Sequence, residues 1–204
     1  MRPFVRGLAL CAAVTFFGAA PTATDDVAQA LAVGPLRDAT LHAYTFDLHV
    51  SVLVHTFPAV RFYLDGTGSY ERPHHVQIQF THVPWFGKGF EKVDLAALEP
   101  SEWPQAYDVS VARRDGGITE VSLHDRKKSA LSEAHAVLDT KAGLRQMVWK
   151  YDYGGRIQLD VTPKDVEGFS LPATEDADIV MPHMKASAHA EFTNYHVVSD
   201  SAAR

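Results

Sequence analysis

Residues 44–54 read Tyr-Thr-Phe-Asp-Leu-His-Val-Ser-Val-Leu-Val, and the alternation in this stretch decides the fold. Tyr44, Phe46, Leu48, Val50, Val52 and Val54 fall on even positions, while Thr45, Asp47, His49 and Ser51 fill odd ones. Successive side chains of a strand point to opposite faces, so this is a long strand with one apolar and one wet face.

The same period runs outward in both directions. Arg61 to Tyr70 reads as a strand pair interrupted at Asp65-Gly66-Thr67-Gly68, a hairpin or bulge signal. His75 to Thr81 continues the sheet through Val76, Ile78 and Phe80. Further on, Tyr107, Val109 and Val111 alternate before a turn at Asp115-Gly116-Gly117. Ile118 to Leu123 and Ala134 to Leu138 follow, then a turn at Lys141-Ala142-Gly143. Met147, Trp149, Tyr151 and Tyr153 make an aromatic stripe, Gly154-Gly155 turns the chain, and Ile157, Leu159 and Val161 return. Lys185 to Val198 closes the pattern, with Ala186, Ala188, Ala190 and Phe192 on one face. Roughly eight to ten antiparallel strands of this kind curl. The expected fold class is mainly β: a strongly curved antiparallel sheet forming an open half-barrel with a short helical lid. One helix is expected near Leu31 to Leu41.

From Pro84 to Pro104 alternation stops. Phe90, Val93, Ala97 and Leu98 recur at helical spacing, and Trp85, Phe86 and Trp103 flank them. A plain surface loop would be polar here. Trp85, Phe86 and Phe90 suit either a cap on the sheet or a gate over a pocket.

The N-terminus reads as a secretory signal. Arg2 and Arg6 precede an apolar run from Gly7 to Ala20 that includes Leu8, Leu10, Val14, Phe16 and Phe17. That run is shorter than the ~20 residues a spanning helix needs. Residues 1–30 are assigned to the signal, ending between 20 and 30. Ala28-Gln29-Ala30 is preferred to Gly18-Ala19-Ala20, which Pro21 follows. Residues 31–204 are expected to form a single domain, exported to the periplasm and free of the membrane. Cys11, the only cysteine, lies in the signal, so the processed chain has no thiol for a disulfide or for catalysis. Leu10 stands where a lipoprotein signal needs a small residue.

The net charge of -6 argues against nucleic acid, whose phosphates require a basic surface. The eleven histidines include His74, His75 and His82, and also His183, His189 and His196. Adjacent strand residues face opposite sides, and no HExxH or cysteine–histidine spacing occurs, so no metal is expected. A Gly-x-Ser-x-Gly elbow, a GxGxxG and a P-loop are all missing, and no spaced acid–base pair stands out. Neither a cofactor nor an enzymatic activity is expected.

The C-terminal part carries a resemblance. Trp149-Lys150-Tyr151-Asp152-Tyr153-Gly154-Gly155-Arg156-Ile157 is followed by Val166-Glu167-Gly168-Phe169-Ser170-Leu171-Pro172, and then by Ala190-Glu191-Phe192-Thr193-Asn194-Tyr195. This resembles the outer-membrane lipoprotein carrier (LolA/LolB-like) superfamily. The resemblance implies an unclosed β-barrel with a helical lid that binds acyl chains or senses lipid species in the envelope. It places a ligand-gripping arginine in the region of Arg61 and Arg72. The expected function is therefore a periplasmic carrier or sensor of an apolar, lipid-like ligand. The expected cavity and lid residues are Phe46, Leu48, Val50, Trp85, Phe86, Phe90, Met147, Trp149 and Tyr151. Expected partners are lipid or acylated lipoprotein, with an envelope membrane protein as a second class, and the chain is read as a monomer. The alternative is a non-enzymatic envelope scaffold or interaction module whose barrel is packed solid.

Overall fold

A computed structural model describes residues 23–72, 76–82, 99–126 and 130–200. Its frame is a run of long strands: β1 (Leu41–Val54), β2 (Val60–Glu71), β3 (Gln77–His82), β4 (Tyr107–Asp115) and β5 (Ile118–Asp125). β6 (Leu131–Asp139), β7 (Gly143–Tyr151), β8 (Arg156–Val166), β9 (Phe169–Met181) and β10 (Met184–Ser199) complete it. Among the described residues these form one antiparallel sheet in the order β3-β2-β1-β10-β9-β8-β7-β6-β5-β4, so β3 and β4 are edges and the sheet is unclosed. The two ends of the chain meet in the middle, where β1 pairs with β10. The connection from β3 to β4 runs from one edge of the sheet to the other, and Trp85, Phe86 and Phe90 lie in it, outside the described residues.

The alternation of residues 44–54 holds: Tyr44, Phe46, Leu48 and Val52 are buried, and Thr45, Asp47 and His49 are exposed. β2, however, is one continuous strand and not a hairpin. Its glycines serve packing instead. Gly68 sits opposite Phe46, and a Cβ built on it would lie 2.0 Å from the Phe46 ring. Gly66 sits opposite Leu48, and its Cβ would lie 2.7 Å from the Gln79 carbonyl oxygen. The irregularity that the glycines signalled is a register shift against β3 at Asp65/Gly66. The Phe46 ring cannot easily yield, because Phe192 and Tyr195 hold it at centroid distances of 5.3 and 5.6 Å. Gly68→Ala is therefore expected to cost about 1–3 kcal/mol, as overpacking does. Urea unfolding checks this. Phe46→Leu in the same chain should recover part of the loss, and strict additivity of the two would disprove the contact.

The expected helix at Leu31 to Leu41 is replaced by α1 (Ala23–Leu31), nearer the N-terminus. Gly34 adopts φ 80, a left-handed conformation, and Pro35 lacks an N–H, so the helix cannot run on past them. A single 3-10 turn at Pro35–Arg37 leads into β1 instead. The Gly34 N–H donates to the Thr140 carbonyl at 3.1 Å, and a Cβ on Gly34 would meet Gly143 Cα at 2.9 Å. This segment is thus strapped to the turn between β6 and β7. Arg114 holds α1 from outside, reaching the Asp26 carboxylate at 3.0 Å and its carbonyl at 2.6 Å.

Two main clusters fill the inner face. One joins Leu31 of α1 and Trp103 of the short helix α2 (Trp103–Ala106) to Val121, Leu123, Ala136 and Met147. The other joins Leu41, Tyr44, Phe46, Leu48, Phe169 and Phe192. Trp103, at the end of the connection between the two edges, is 1% exposed and so belongs to the core.

Candidate ligand site

Between the two clusters the inner face leaves a cavity of about 170 Å³. Its walls come from the strap before β1 (Val33, Leu36), from β1 (Tyr44, Phe46), from β7 and β8 (Leu144, Val161), and from β9 and β10.

The β10 side is shaped by a bulge. Thr45 pairs with His196 but Asp47 pairs with Thr193, so Asn194 and Tyr195 together oppose Phe46. Asn194 takes φ 50, and its amide donates to the Asp47 carboxylate at 2.8 Å. An asparagine tolerates that conformation better than most residues. Strict alternation from Phe192 would turn Asn194 inward. The bulge turns Tyr195 inward in its place, and Phe192 and Tyr195 both line the cavity. The Tyr195 hydroxyl donates to the Pro172 carbonyl at 2.8 Å. Lys164 lies 5.0 Å from the centre of the Tyr195 ring and donates to the Phe192 carbonyl at 2.7 Å. Tyr44 stacks on Tyr70 at 5.1 Å and tilts against Tyr195 at 6.0 Å. Burial raises the pKa of both Tyr44 and Tyr195, so both stay neutral phenols.

Two acids break the apolar lining: Glu99, which accepts a hydrogen bond from the Ser101 hydroxyl at 2.9 Å, and Glu175. Glu175 of β9 lines the cavity, with Val161 of β8 on one side and Ala190 of β10 on the other. The cavity leaves the residue partly accessible, yet the surrounding protein strips water from its carboxyl, and this burial raises its pKa to about 7. No hydrogen bond or ion pair holds that carboxyl among the described residues.

Of the residues expected from the sequence, Phe46 lines the cavity. Leu48 is packed into the adjoining cluster, and Val50 is half-buried between that cluster and a smaller one at Val52, Phe62 and Leu64. Met147 is fully buried in the other cluster, with Trp149 half-buried against it. Tyr151 is half-buried and stacks on Tyr153 at 5.3 Å, away from the cavity. Leu31 and Trp103 fill the inner face over β5–β8, so the opening falls on β1, β9 and β10. Arg72 does not reach it either: its guanidinium donates to the Leu41, Leu36 and Asp38 carbonyls at 3.1, 3.0 and 2.6 Å, clamping the strap onto β1. Arg61 is exposed on β2. Tyr44, Glu175, Phe192 and Tyr195 also line the cavity, beyond the residues expected from the sequence. Glu175 had a signal, since it shares inward parity on β9 with Phe169, Leu171 and Ala177. Tyr195 had none, because the bulge reverses its parity.

The outer face is polar. His49 and Asp65 pair at 2.5 Å, and His189 pairs with Asp176 at 2.6 Å. The Asp176 hydrogen bond raises the His189 pKa. Among the described residues, no three His, Cys, Asp or Glu side chains converge as a metal site would need.

No family model and no curated protein matches the chain. Solved structures do. A domain from Vibrio parahaemolyticus, described as an outer membrane lipoprotein-sorting protein domain, superposes with a TM-score of 0.53 at 10% identity, covering 84% of this chain and 91% of that one. A LolA superfamily protein from Nitrosomonas europaea gives 0.49 at 6% identity over 86% and 93%. A DUF1329 family protein from Desulfovibrio piger gives 0.48 at 8% identity over 88% and 97%. The first of these shares the fold, an unclosed antiparallel sheet. At such identities the likeness is one of fold.

Proposed function

We propose that this protein is an exported, non-enzymatic carrier or sensor that holds an apolar, lipid-like ligand on the inner face of its sheet. The observation that carries this reading is the cavity itself. Aromatic and aliphatic side chains wall it, with very few polar groups among them, as ligand pockets are built. A packed scaffold would fill that space, because interiors tolerate few voids. The fold shared with a lipoprotein-sorting domain supports the same reading. Its volume is below the ~300–1,000 Å³ usual for whole ligands, which suits one segment of an apolar chain rather than a complete lipid. Native mass spectrometry of protein purified from the cell envelope tests the proposal. A lipid-sized adduct is expected, and a clean apo mass under gentle conditions would favour the packed module.

Export is part of this proposal, with removal of the signal ahead of α1. Val27 and Leu31 of α1 pack into the core and Arg114 grips Asp26, which supports a cut near Ala20 over one at Ala30. Edman sequencing of the processed protein should start at or before Ala23. A start at Leu31 would mean that the domain works without α1.

Trp85, Phe86 and Phe90 are proposed as a lid over the ligand. Phe90→Ala should weaken binding of a neutral apolar fluorescent probe about ten- to a hundredfold, the effect of losing one ring's contact with it. Its unfolding free energy should fall by less than ~1.5 kcal/mol. A variant that unfolds early with unchanged affinity would make Phe90 core and not lid.

A further inference from the structure

The carboxyl of Glu175 is the one charged side chain of the cavity without a partner among the described residues. A buried carboxylate with no counter-ion is costly, and an apolar site retains one at the expense of stability. Its neighbours do not relieve that cost. From β8 comes Val161 and from β10 Ala190. The titratable groups facing it are Tyr44 of β1, Tyr195 of β10 and Glu99 ahead of α2, all neutral or acidic. Lys164, whose ammonium lies over the Tyr195 ring, is committed to that ring and to the Phe192 carbonyl. Beside the carboxyl stands a cluster of rings, Tyr44, Phe46, Phe192 and Tyr195, with centroids 5.3–6.1 Å apart. Aromatic faces attract ammonium groups, more so when water is excluded. An unpaired carboxylate beside such rings, with the acidic Glu99 on the same wall and a chain of net charge -6, is a receptor for a cation on an apolar body.

We propose that the cavity recognises an apolar chain bearing an ammonium group, with Glu175 as its counter-ion and the Tyr44, Phe46 and Tyr195 rings around it. This rests on the carrier reading and names the ligand class within it. The ammonium could be a free amphiphilic amine or the amino group of a lipid head. A free fatty carboxylate is disfavoured, because it would bring a second negative charge beside the first.

Isothermal titration calorimetry on the full processed chain tests this with dodecylamine, a twelve-carbon lysophosphatidylethanolamine and dodecanoate, each kept monomeric. At pH 8 dodecylamine should bind about ten- to a hundredfold more tightly than dodecanoate, the range for a hydrogen bond to a charged group. Glu175→Gln should collapse that ratio towards one. Lowering the pH of the wild type to 5.5, where the carboxyl takes up its proton, should shrink the ratio without any substitution. If lysophosphatidylethanolamine shares the preference, a lipid head is the source; if only dodecylamine does, the source is a free amine. Equal binding of dodecylamine and dodecanoate by the wild type overturns the Glu175 assignment and leaves the carrier reading standing. If none of the three binds, both fall.

Discussion

Trp103→Ala is expected to lower the unfolding free energy by about 3–5 kcal/mol, the range for a large aromatic removed from a core. Trp103 is among the largest fully buried side chains, at 1% exposure. It packs in the cluster that joins Leu31 of α1 to Val121, Leu123 and Met147 of β5 and β7. Removing it opens a cavity where helix and sheet meet, so the loss should reach the upper part of that range. Its place in the chain adds a second consequence. Trp103 ends the connection that carries Trp85, Phe86 and Phe90 between the two edges of the sheet. Under the lid proposal the variant should also bind an apolar probe more weakly than Phe90→Ala does. Urea denaturation followed by circular dichroism gives the stability term. Trp149→Ala, at a half-buried site on β7, should cost less. A loss below ~1 kcal/mol for Trp103 would remove it from the core.

Raising the pH from 5.5 to 8.5 should destabilise the protein by about 2 kcal/mol through Glu175 alone. The sign follows from which state holds the proton. In the unfolded chain this carboxyl titrates at its ordinary value, near 4.5, and in the fold burial raises it to about 7. Between those values the folded state keeps a proton that the unfolded state has released, so stability falls as pH rises. The full effect is about 3 kcal/mol, at ~1.4 kcal/mol per pH unit, and it is spent once pH exceeds 7. His189 moves stability the same way, because its raised pKa favours the folded state only while it is protonated. Glu175→Gln separates the two: the variant should keep only the weaker slope and be more stable than wild type at pH 8.5. Melting midpoints across this range provide the measurement. A bound ammonium ligand should cancel the wild-type slope, whereas a slope unchanged in Glu175→Gln would place the titration elsewhere.

Much of the architecture was legible because a strand has a period of two, which local chemistry alone can display. Residues 44–54, the inward alanines of β10, and the turns at Asp115-Gly116-Gly117 and Gly154-Gly155 read directly as they fold. So did the apolar inner face and the acidic, cysteine-poor composition. Where the reading failed, a residue's role depended on a partner far along the chain. Gly66 and Gly68 look like a turn locally, but Phe46 and Gln79 require them to be a strand without side chains. Gly34 and Pro35 end α1 early, and their strap is held by Thr140, about a hundred residues on by chain order.

The site divides the same way. Phe46 was legible as a cavity residue because its parity on β1 and its apolar character agree. Met147 and Trp149 carry the same pattern on β7, yet Leu31 and Trp103 cover that half of the inner face. Tyr195 faces inward only because the bulge at Asn194 shifts the register against Asp47. Sequence by itself determined that an antiparallel sheet would form with one apolar face, since alternation is a property of neighbours along a chain. Tertiary structure alone decided which part of that face stays open and that an unpaired carboxyl waits in it, since filling, register and desolvation belong to strands brought together from opposite ends of the sequence.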